Sequence, residues 1–137
     1  MSHKHIHSLI DMGFHIGSHS VDHPHYFELS LQQQLDQTLT CHSYLKQHFD
    51  LKEDLFAFPF TDHQVTLSFF NEICKDSTIQ LSFGGAGLKK EMIKNHIQRI
   101  AAEDKQCRPL QEIVKTEYLY YILKALFRKN TIHRHHA

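Results

Sequence analysis

The sequence predicts an α/β fold with parallel strands, built as a single domain. Short apolar segments typical of strands alternate along the chain with segments of helical periodicity, and this order is typical of parallel sheets with helical crossovers. The length of 137 residues corresponds to one domain. The composition, with 41% hydrophobic and 22% charged residues, supports a folded core.

The first half of the chain has the clearest helix and strand signals. Gly13 ends a first helix, because glycine is favoured just after a helix C-terminus. Ser30 and Gln33 have the spacing of a capping box and mark the start of the longest helix. The predicted elements are, in order, a helix over residues 3–12, a strand over 14–18, a loop over 19–29, a helix from Ser30 to Phe49, a strand over 55–60, a helix over 66–75 and a strand over 79–83.

The second half begins with a glycine-rich loop over residues 84–87. It lacks the Gly-Lys-Ser/Thr ending of a phosphate-binding loop, so we interpret it as a set of tight turns that lines a substrate groove. Residues 88–108 fit no element clearly, although 97–100 could form a further strand. Pro109 opens a last helix. Its predicted inward face consists of Leu110, Ile113, Val114, Tyr118, Tyr121, Ile122, Ala125 and Leu126.

The number of predicted strands is too small for a closed barrel. Three or four strands can be counted, whereas a closed barrel needs about eight. We therefore expect one incomplete domain over residues 1–130, followed by a frayed polar tail over 131–137.

Charge and composition exclude several classes of protein. Lys and Arg together number 15, as do Asp and Glu, so there is no basic excess to indicate a nucleic-acid partner. No apolar run reaches the roughly 20 residues of a membrane span, and the N-terminus has no apolar signal segment. The widely spaced Cys41, Cys74 and Cys107 indicate free thiols. These features slightly favour a cytoplasmic location.

Histidine is unusually frequent in this chain. The chain has 14 histidines, and seven of them lie between His3 and His25. His19 and His23 follow the predicted strand four residues apart, a spacing that can direct both imidazoles at one divalent metal. Such spacings also arise by chance in a histidine-rich chain. His42, on the apolar face of the longest helix, is interpreted as a packing histidine with satisfied hydrogen bonds.

The residues around this pair carry a family resemblance. The string Met12-Gly-Phe-His-Ile-Gly-Ser-His-Ser-Val-Asp-His-Pro24 resembles the second motif of the polysaccharide deacetylases, the NodB-homology or carbohydrate esterase four family. A helix start at Leu29-Ser30 and a strand that ends in Pro59-Phe60 also fit this family. The resemblance covers residues 1–60 well and the remainder loosely.

The resemblance implies a partial, distorted (β/α) barrel and a metal-dependent hydrolase. Members of the family remove acetyl groups from N- or O-acetylated sugars, with a divalent metal, often zinc, as cofactor. The resemblance assigns His19 and His23 as metal ligands. It assigns the backbone N–H of Phe60 as a donor to the oxyanion of the transition state.

Three departures from the family pattern predict an incomplete site. The family's Asp-Asp motif lies upstream of the histidine motif, but here 18 residues precede His19 and Asp11 is their only acid. The family's arginine falls at Ala57, and the nearest candidate for its late histidine is His96. We therefore expect a fragment that lacks the first strands of the barrel and has weak activity or none.

The vacant carboxylate position leaves alternatives open. Asp22, Asp62 and His63 are the candidates to fill it. If none does, the chain is a non-catalytic metal- or glycan-binding remnant of the fold. Missing strands would also leave open sheet edges, so we expect self-association.

Overall fold

The computed structural model describes residues 2–75, 78–102 and 108–135, which contain four α-helices and a three-stranded parallel sheet. None of the helices in these ranges combines the length and the apolar character that a membrane crossing requires. The elements are α1 (His3–Asp11), a 3-10 helix (Tyr26–Glu28), α2 (Leu31–His48), β1 (Leu55–Ala57), α3 (Leu67–Ile73), β2 (Leu81–Gly84), β3 (His96–Gln98) and α4 (Leu110–Leu126).

The sheet confirms the predicted α/β class with parallel strands. Its order is β1-β2-β3, and Phe56 pairs with Ser82, which pairs in turn with His96. The sheet is open, so the described residues form no closed barrel. Three strands of three or four residues are too few to close a barrel.

The strand predicted over residues 14–18 is reduced to a single bridge beside β1. Ser18 N–H donates to Leu55 O and Ala57 N–H donates to Ser18 O, both at 2.9 Å. A Cβ at Gly17 would lie 2.9 Å from Leu55 Cβ, so glycine permits this close approach of the two backbones. The segment nevertheless runs along β1, and this places the following residues at the carboxyl end of the sheet.

Helix α2 begins as predicted, because Ser30 and Gln33 form the capping box. Its buried face is more polar than the sequence pattern indicates, since Gln34, Thr38 and His42 are its buried residues. Gln34 Nε2 donates to Tyr26 O at 2.7 Å, and the Tyr26 and Thr38 hydroxyls are 2.8 Å apart. These bonds attach the 3-10 helix to α2.

His42 is buried as predicted, but its hydrogen bonds are not satisfied. Its Nε2 lies 3.1 Å from Asp54 Oδ1, yet outside hydrogen-bonding geometry, and neither ring nitrogen has a hydrogen-bond partner among the described residues. The interpretation of His42 as a satisfied packing residue was therefore wrong. The same Asp54 oxygen also forms a 2.8 Å ion pair with Lys46.

The core between the sheet and helices α2 and α3 is mostly aromatic. Helix α3 buries the predicted face, Phe69, Phe70 and Ile73. Phe56 of β1 and Phe58, just after the strand, contact edge to face, with ring centroids 4.8 Å apart. Edge-to-face ring pairs stabilise a core by about 0.5–1.5 kcal/mol each beyond the apolar area that they bury.

Helix α4 forms where predicted, but most of its predicted inward face is exposed. Ile113 is its one buried residue among those described, whereas Leu110 and Leu126 are 61% and 73% exposed. The helix carries Leu119 and Leu123 on its other sides as well, so no single apolar face was available to predict its orientation. Tyr121 Oη, which donates to Ala86 O at 2.6 Å, holds it to the glycine-rich loop.

The tail predicted to be frayed is instead attached along residues 131–135, which we call the C-terminal strap. Ile132 N–H donates to Lys90 O, and His135 O accepts from Leu67 N–H, both at 3.0 Å. The strap therefore joins the segment before β3 to the start of α3. Residues 136–137 lie outside the described part of the chain, as does Cys107, whereas Cys41 and Cys74 are free.

Candidate metal centre

The backbone after the Ser18 bridge fixes the orientation of the His19 ring. His19 Nδ1 lies 2.8 Å from Ala57 O. A carbonyl oxygen only accepts hydrogen bonds, so Nδ1 carries a proton, and in the neutral imidazole Nε2 keeps its lone pair. This tautomer is the one in which Nε2 can bind a metal.

His23 lies beside His19 because the loop turns sharply between them. Ser20 and His23 both have left-handed backbone conformations, with φ of 70° and 56°. Ser20 Oγ accepts from His23 N–H at 3.0 Å and closes the turn. The two imidazole rings are edge to face, with centroids 4.8 Å apart. The structure thus brings together the two histidines that the spacing singled out.

Gln37 on α2 braces this loop. Its Oε1 accepts from the backbone N–H groups of Val21 and Asp22, and its Nε2 donates to Asp22 Oδ2, all at 3.0 Å. Sequence reasoning missed Gln37, because the residue has no local motif and acts across 15 positions of the chain. These bonds hold the segment between the two histidines, and they also give the Asp22 carboxylate a partner.

Phe60 adjoins the histidine pair at the end of the segment after β1. Its φ is 52°, and its side chain is 56% exposed. The ring lies 4.5 Å from the His23 ring and stacks on the His25 ring at 4.2 Å. No acceptor within the described residues is bonded to the Phe60 N–H, which leaves that donor available at the same rim as His23.

None of the candidates for the vacant carboxylate position forms, with His19 and His23, a group of three ligand atoms within 4.8 Å of one another. Asp22 is bonded to Gln37. Asp62 is only 2% exposed and accepts a hydrogen bond from Gly85 N–H. His63 is exposed, and its backbone N–H donates to Thr61 Oγ1. Within the described ranges, the one group of three His, Cys, Asp or Glu ligand atoms within 4.8 Å of one another does not include His19 or His23.

The histidine motif and the strand after it lie in a stretch that matches a known family. Residues 2–74, just over half of the chain, match the sequence model of the family described as polysaccharide deacetylase. The chain belongs to the polysaccharide deacetylase family. The match confirms the resemblance and its partial extent, since it ends before β2. No curated protein and no solved structure matches the chain significantly.

The deacetylase-family chain has a second cluster, of which Asp62 lies within the matched residues and the other two members lie beyond them. Asp62, Glu91 and His96 form the group of three possible ligands within 4.8 Å. His96 Nε2 lies 3.1 Å from Asp62 Oδ2, and its Nδ1 lies 2.7 Å from Ser82 Oγ. Because a carboxylate only accepts, His96 Nε2 donates to Asp62.

Arg134 of the strap supplies the cation of this second cluster. Its Nη2 bonds to Asp62 Oδ2 and lies 2.6 Å from Glu91 Oε2, and its side chain is 4% exposed. Burial alone would raise the pKa of Asp62. Hydrogen bonds from His96, Gly85 N–H, Gln98 and Arg134 outweigh that effect and hold the pKa well below its usual range. For Glu91, burial is outweighed in the same way, chiefly by Arg134, which lowers its pKa.

The second cluster is accordingly a buried ion-pair network in this deacetylase-family chain. A guanidinium lies where a metal would have to bind, and His96 Nε2 carries a proton. The imidazole pair of His19 and His23, with one ring nitrogen free of hydrogen, fits a divalent cation better.

Proposed function

We propose that this chain binds one divalent cation, zinc, through His19 and His23 and has the fold of a hydrolase that removes acetyl groups from N-acetylated sugars. The observation that carries the proposal is the bond from His19 Nδ1 to Ala57 O, which leaves Nε2 unprotonated beside His23. Family membership supports the reaction class. A zinc ion in this position supplies Lewis acidity toward an acetyl carbonyl.

The chain's own groups position the acetyl group. In the proposed reaction, water adds to the acetyl carbon, the carbon–nitrogen bond breaks, and acetate and a sugar amine leave. The Phe60 N–H donates to the carbonyl oxygen as negative charge develops there. The Ser20 turn and the Gln37 bonds keep the two imidazoles in place, so the ligands need little reorganisation on binding.

Zinc titration by calorimetry tests the metal proposal. We expect His19→Ala and His23→Ala each to weaken zinc binding at one site by about 10-fold or more. Each variant removes a direct ligand, and even the loss of a residue that only supports a ligand weakens metal binding by about 10–100-fold. His15→Ala is the matched control, since His15 is exposed and bonds to Glu53. Wild-type zinc affinity in the His19→Ala/His23→Ala double variant would contradict the proposal.

Acetate release from chitotetraose tests the hydrolase proposal. We expect turnover by this chain alone to be weak or undetectable, because within the described residues no carboxylate completes the His19–His23 group as base or third ligand. Robust turnover that His19→Ala abolishes would overturn the expectation of an inactive fragment.

The same observation favours a second candidate, a non-catalytic metal- or glycan-binding remnant of the fold. Its signature is zinc and chitotetraose binding without acetate release at any protein concentration. Release above background that depends on His19 and His23 would instead identify an enzyme.

A further inference from the structure

A cleft of about 620 Å³ opens at the carboxyl ends of β1 and β2. Its walls are the segment 61–66 after β1, the glycine-rich loop, α4 and the C-terminal strap. The volume lies in the range of small-molecule sites, and α/β folds bind ligands at this edge of the sheet. The cleft adjoins the rim of the histidine pair, because Gly85 packs against Phe60 so closely that a Cβ there would lie 2.6 Å from Phe60 O.

Helix α4 presents three cleft-lining side chains on one face. Glu117, Tyr121 and Lys124 all line the cleft, and their spacing of four and three residues places them on the same side of a helix. The Tyr121 hydroxyl donates to Ala86 O at 2.6 Å. A Cβ at Gly87 would lie 2.7 Å from that hydroxyl, so glycine is required for the contact. The tyrosine ring is therefore a fixed wall of the cleft.

The charge of the cleft is predominantly positive. Lys89 and Lys124 line it, and neither forms an ion pair with any described residue. Lys124 Nζ lies 4.2 Å from the centre of the Tyr120 ring and 5.4 Å from that of the cleft-lining Tyr121 ring. Two acids, Asp62 and Glu117, line the cleft. The charge of Asp62 is already balanced by Arg134, so Glu117 is the acid that opposes the two lysines. Three histidines also line the cleft: His63, His133 and His135.

We propose that this cleft binds a negatively charged sugar residue, with Lys89 and Lys124 contacting its carboxylate and Tyr121 contacting its ring. The identity of the ligand as a glycan rests on the proposed function, whereas the preference for negative charge rests on the cleft itself. The substrate class is therefore an acetylated polysaccharide that carries uronic acids, with the acidic sugar in the cleft and the acetylated sugar toward His19 and His23.

Two tetrasaccharides of equal length test the preference. Hyaluronan tetrasaccharide alternates N-acetylglucosamine with glucuronate, and chitotetraose contains N-acetylglucosamine alone. We expect calorimetry at low salt to show about 10-fold tighter binding of the hyaluronan fragment, a difference that falls as salt rises. Equal affinity for the two tetrasaccharides, or no binding of either, would overturn the proposal.

Variants locate the binding in the cleft. Lys89→Met/Lys124→Met should reduce hyaluronan affinity to that of chitotetraose, whereas Glu117→Gln should increase it about 2-fold or more, because a repelling charge is removed. Lys115→Met is the matched control, since Lys115 is an exposed lysine of α4 outside the cleft lining. An effect of Lys115→Met as large as that of the double variant would contradict the assignment.

Two further measurements separate this proposal from the proposed function. The His19→Ala/His23→Ala variant should keep the preference for the hyaluronan fragment over chitotetraose, because both tetrasaccharides present N-acetylglucosamine to the histidine pair and only one presents a carboxylate to the cleft. Loss of zinc binding or of acetate release then leaves the result for the cleft unchanged. Inorganic phosphate is the probe for a general anion site. If the chain bound no chitotetraose and bound phosphate as tightly as the hyaluronan fragment, the cleft would be a general anion site and the glycan assignment would be wrong.

Discussion

His42 shows how a single buried side chain can make stability depend on pH. The ring lies on the inner side of α2 without a hydrogen-bond partner among the described residues. Burial lowers its pKa, an effect that the nearby Asp54 carboxylate opposes and Lys46 reinforces. The folded chain thus keeps the ring neutral at a pH where the unfolded chain, with a pKa of about 6.5, already binds a proton.

The sign of the resulting pH dependence follows from proton uptake. Because the pKa is lower in the folded state, the unfolded state binds more protons, and stability falls as the pH drops below about 6.5. We predict that His42→Leu makes the urea midpoint less dependent on pH between 7.5 and 5.5. His133→Leu, at an exposed site, should leave the pH dependence unchanged. An identical pH dependence in the wild type and His42→Leu would contradict this.

At the residue scale, local chemistry was predictable and long-range contacts were not. The Ser30–Gln33 capping box needs only the residues within one turn, and the sequence displays them. The proximity of His19 and His23 likewise follows from a four-residue spacing on a short loop. Gln37 reaches that loop from another element, and nothing in its own neighbourhood indicates the contact.

At the element scale, no strand among the described residues covers the β3 edge of the open sheet. β3 pairs with β2 on one side and ends the sheet order on the other, and Ile97 in its centre is 51% exposed. Uncovered edges pair with other chains unless a charge interrupts them. The expected self-association through sheet edges therefore stays a prediction, with β3 as its most exposed route.

A charged substitution at this edge tests that route. We predict that Ile97→Lys lowers the weight-average mass measured by sedimentation at high protein concentration, because a lysine on an edge strand opposes edge-to-edge pairing. Leu123→Lys on α4 is the matched variant on the other exposed apolar surface, where Leu123 is 58% exposed. If Leu123→Lys dissociated the chain and Ile97→Lys did not, helix α4 would be the contact and the edge prediction would be wrong.

The two elements that differ from prediction failed for related physical reasons. Whether residues 14–18 form a strand depends on how many of them pair with β1, and only Ser18 does so, through a single bridge. The predicted inward face of α4 stays exposed because the described chain offers it few partners and the helix is apolar on several sides. Sequence periodicity predicts that an element forms, whereas its packing partners determine which of its faces is buried and how far it pairs with a neighbouring strand.

At the scale of the whole molecule, Arg134 connects parts of the chain that are far apart in sequence. Its guanidinium donates to the carbonyls of Asp62 and Val65 at 3.1 and 3.2 Å, and its Cζ lies 4.5 Å from the centre of the Phe70 ring. The partners are up to 72 residues away. No local pattern could indicate this network, which is why the sequence predicted a frayed tail where the strap packs.

Removing this arginine should destabilise the entire fold. Arg134→Met would leave the buried Asp62 and Glu91 carboxylates without their cation, which costs about 3 kcal/mol or more in the free energy of unfolding. Urea unfolding at pH 7 measures the change, and Arg128→Met, at an exposed arginine, should cost no more than about 0.5 kcal/mol. Arg134→Met/Asp62→Asn/Glu91→Gln should recover part of the loss, because no buried charge then lacks a partner. Equal stabilities of Arg134→Met and Arg128→Met would show that the strap does not support the fold.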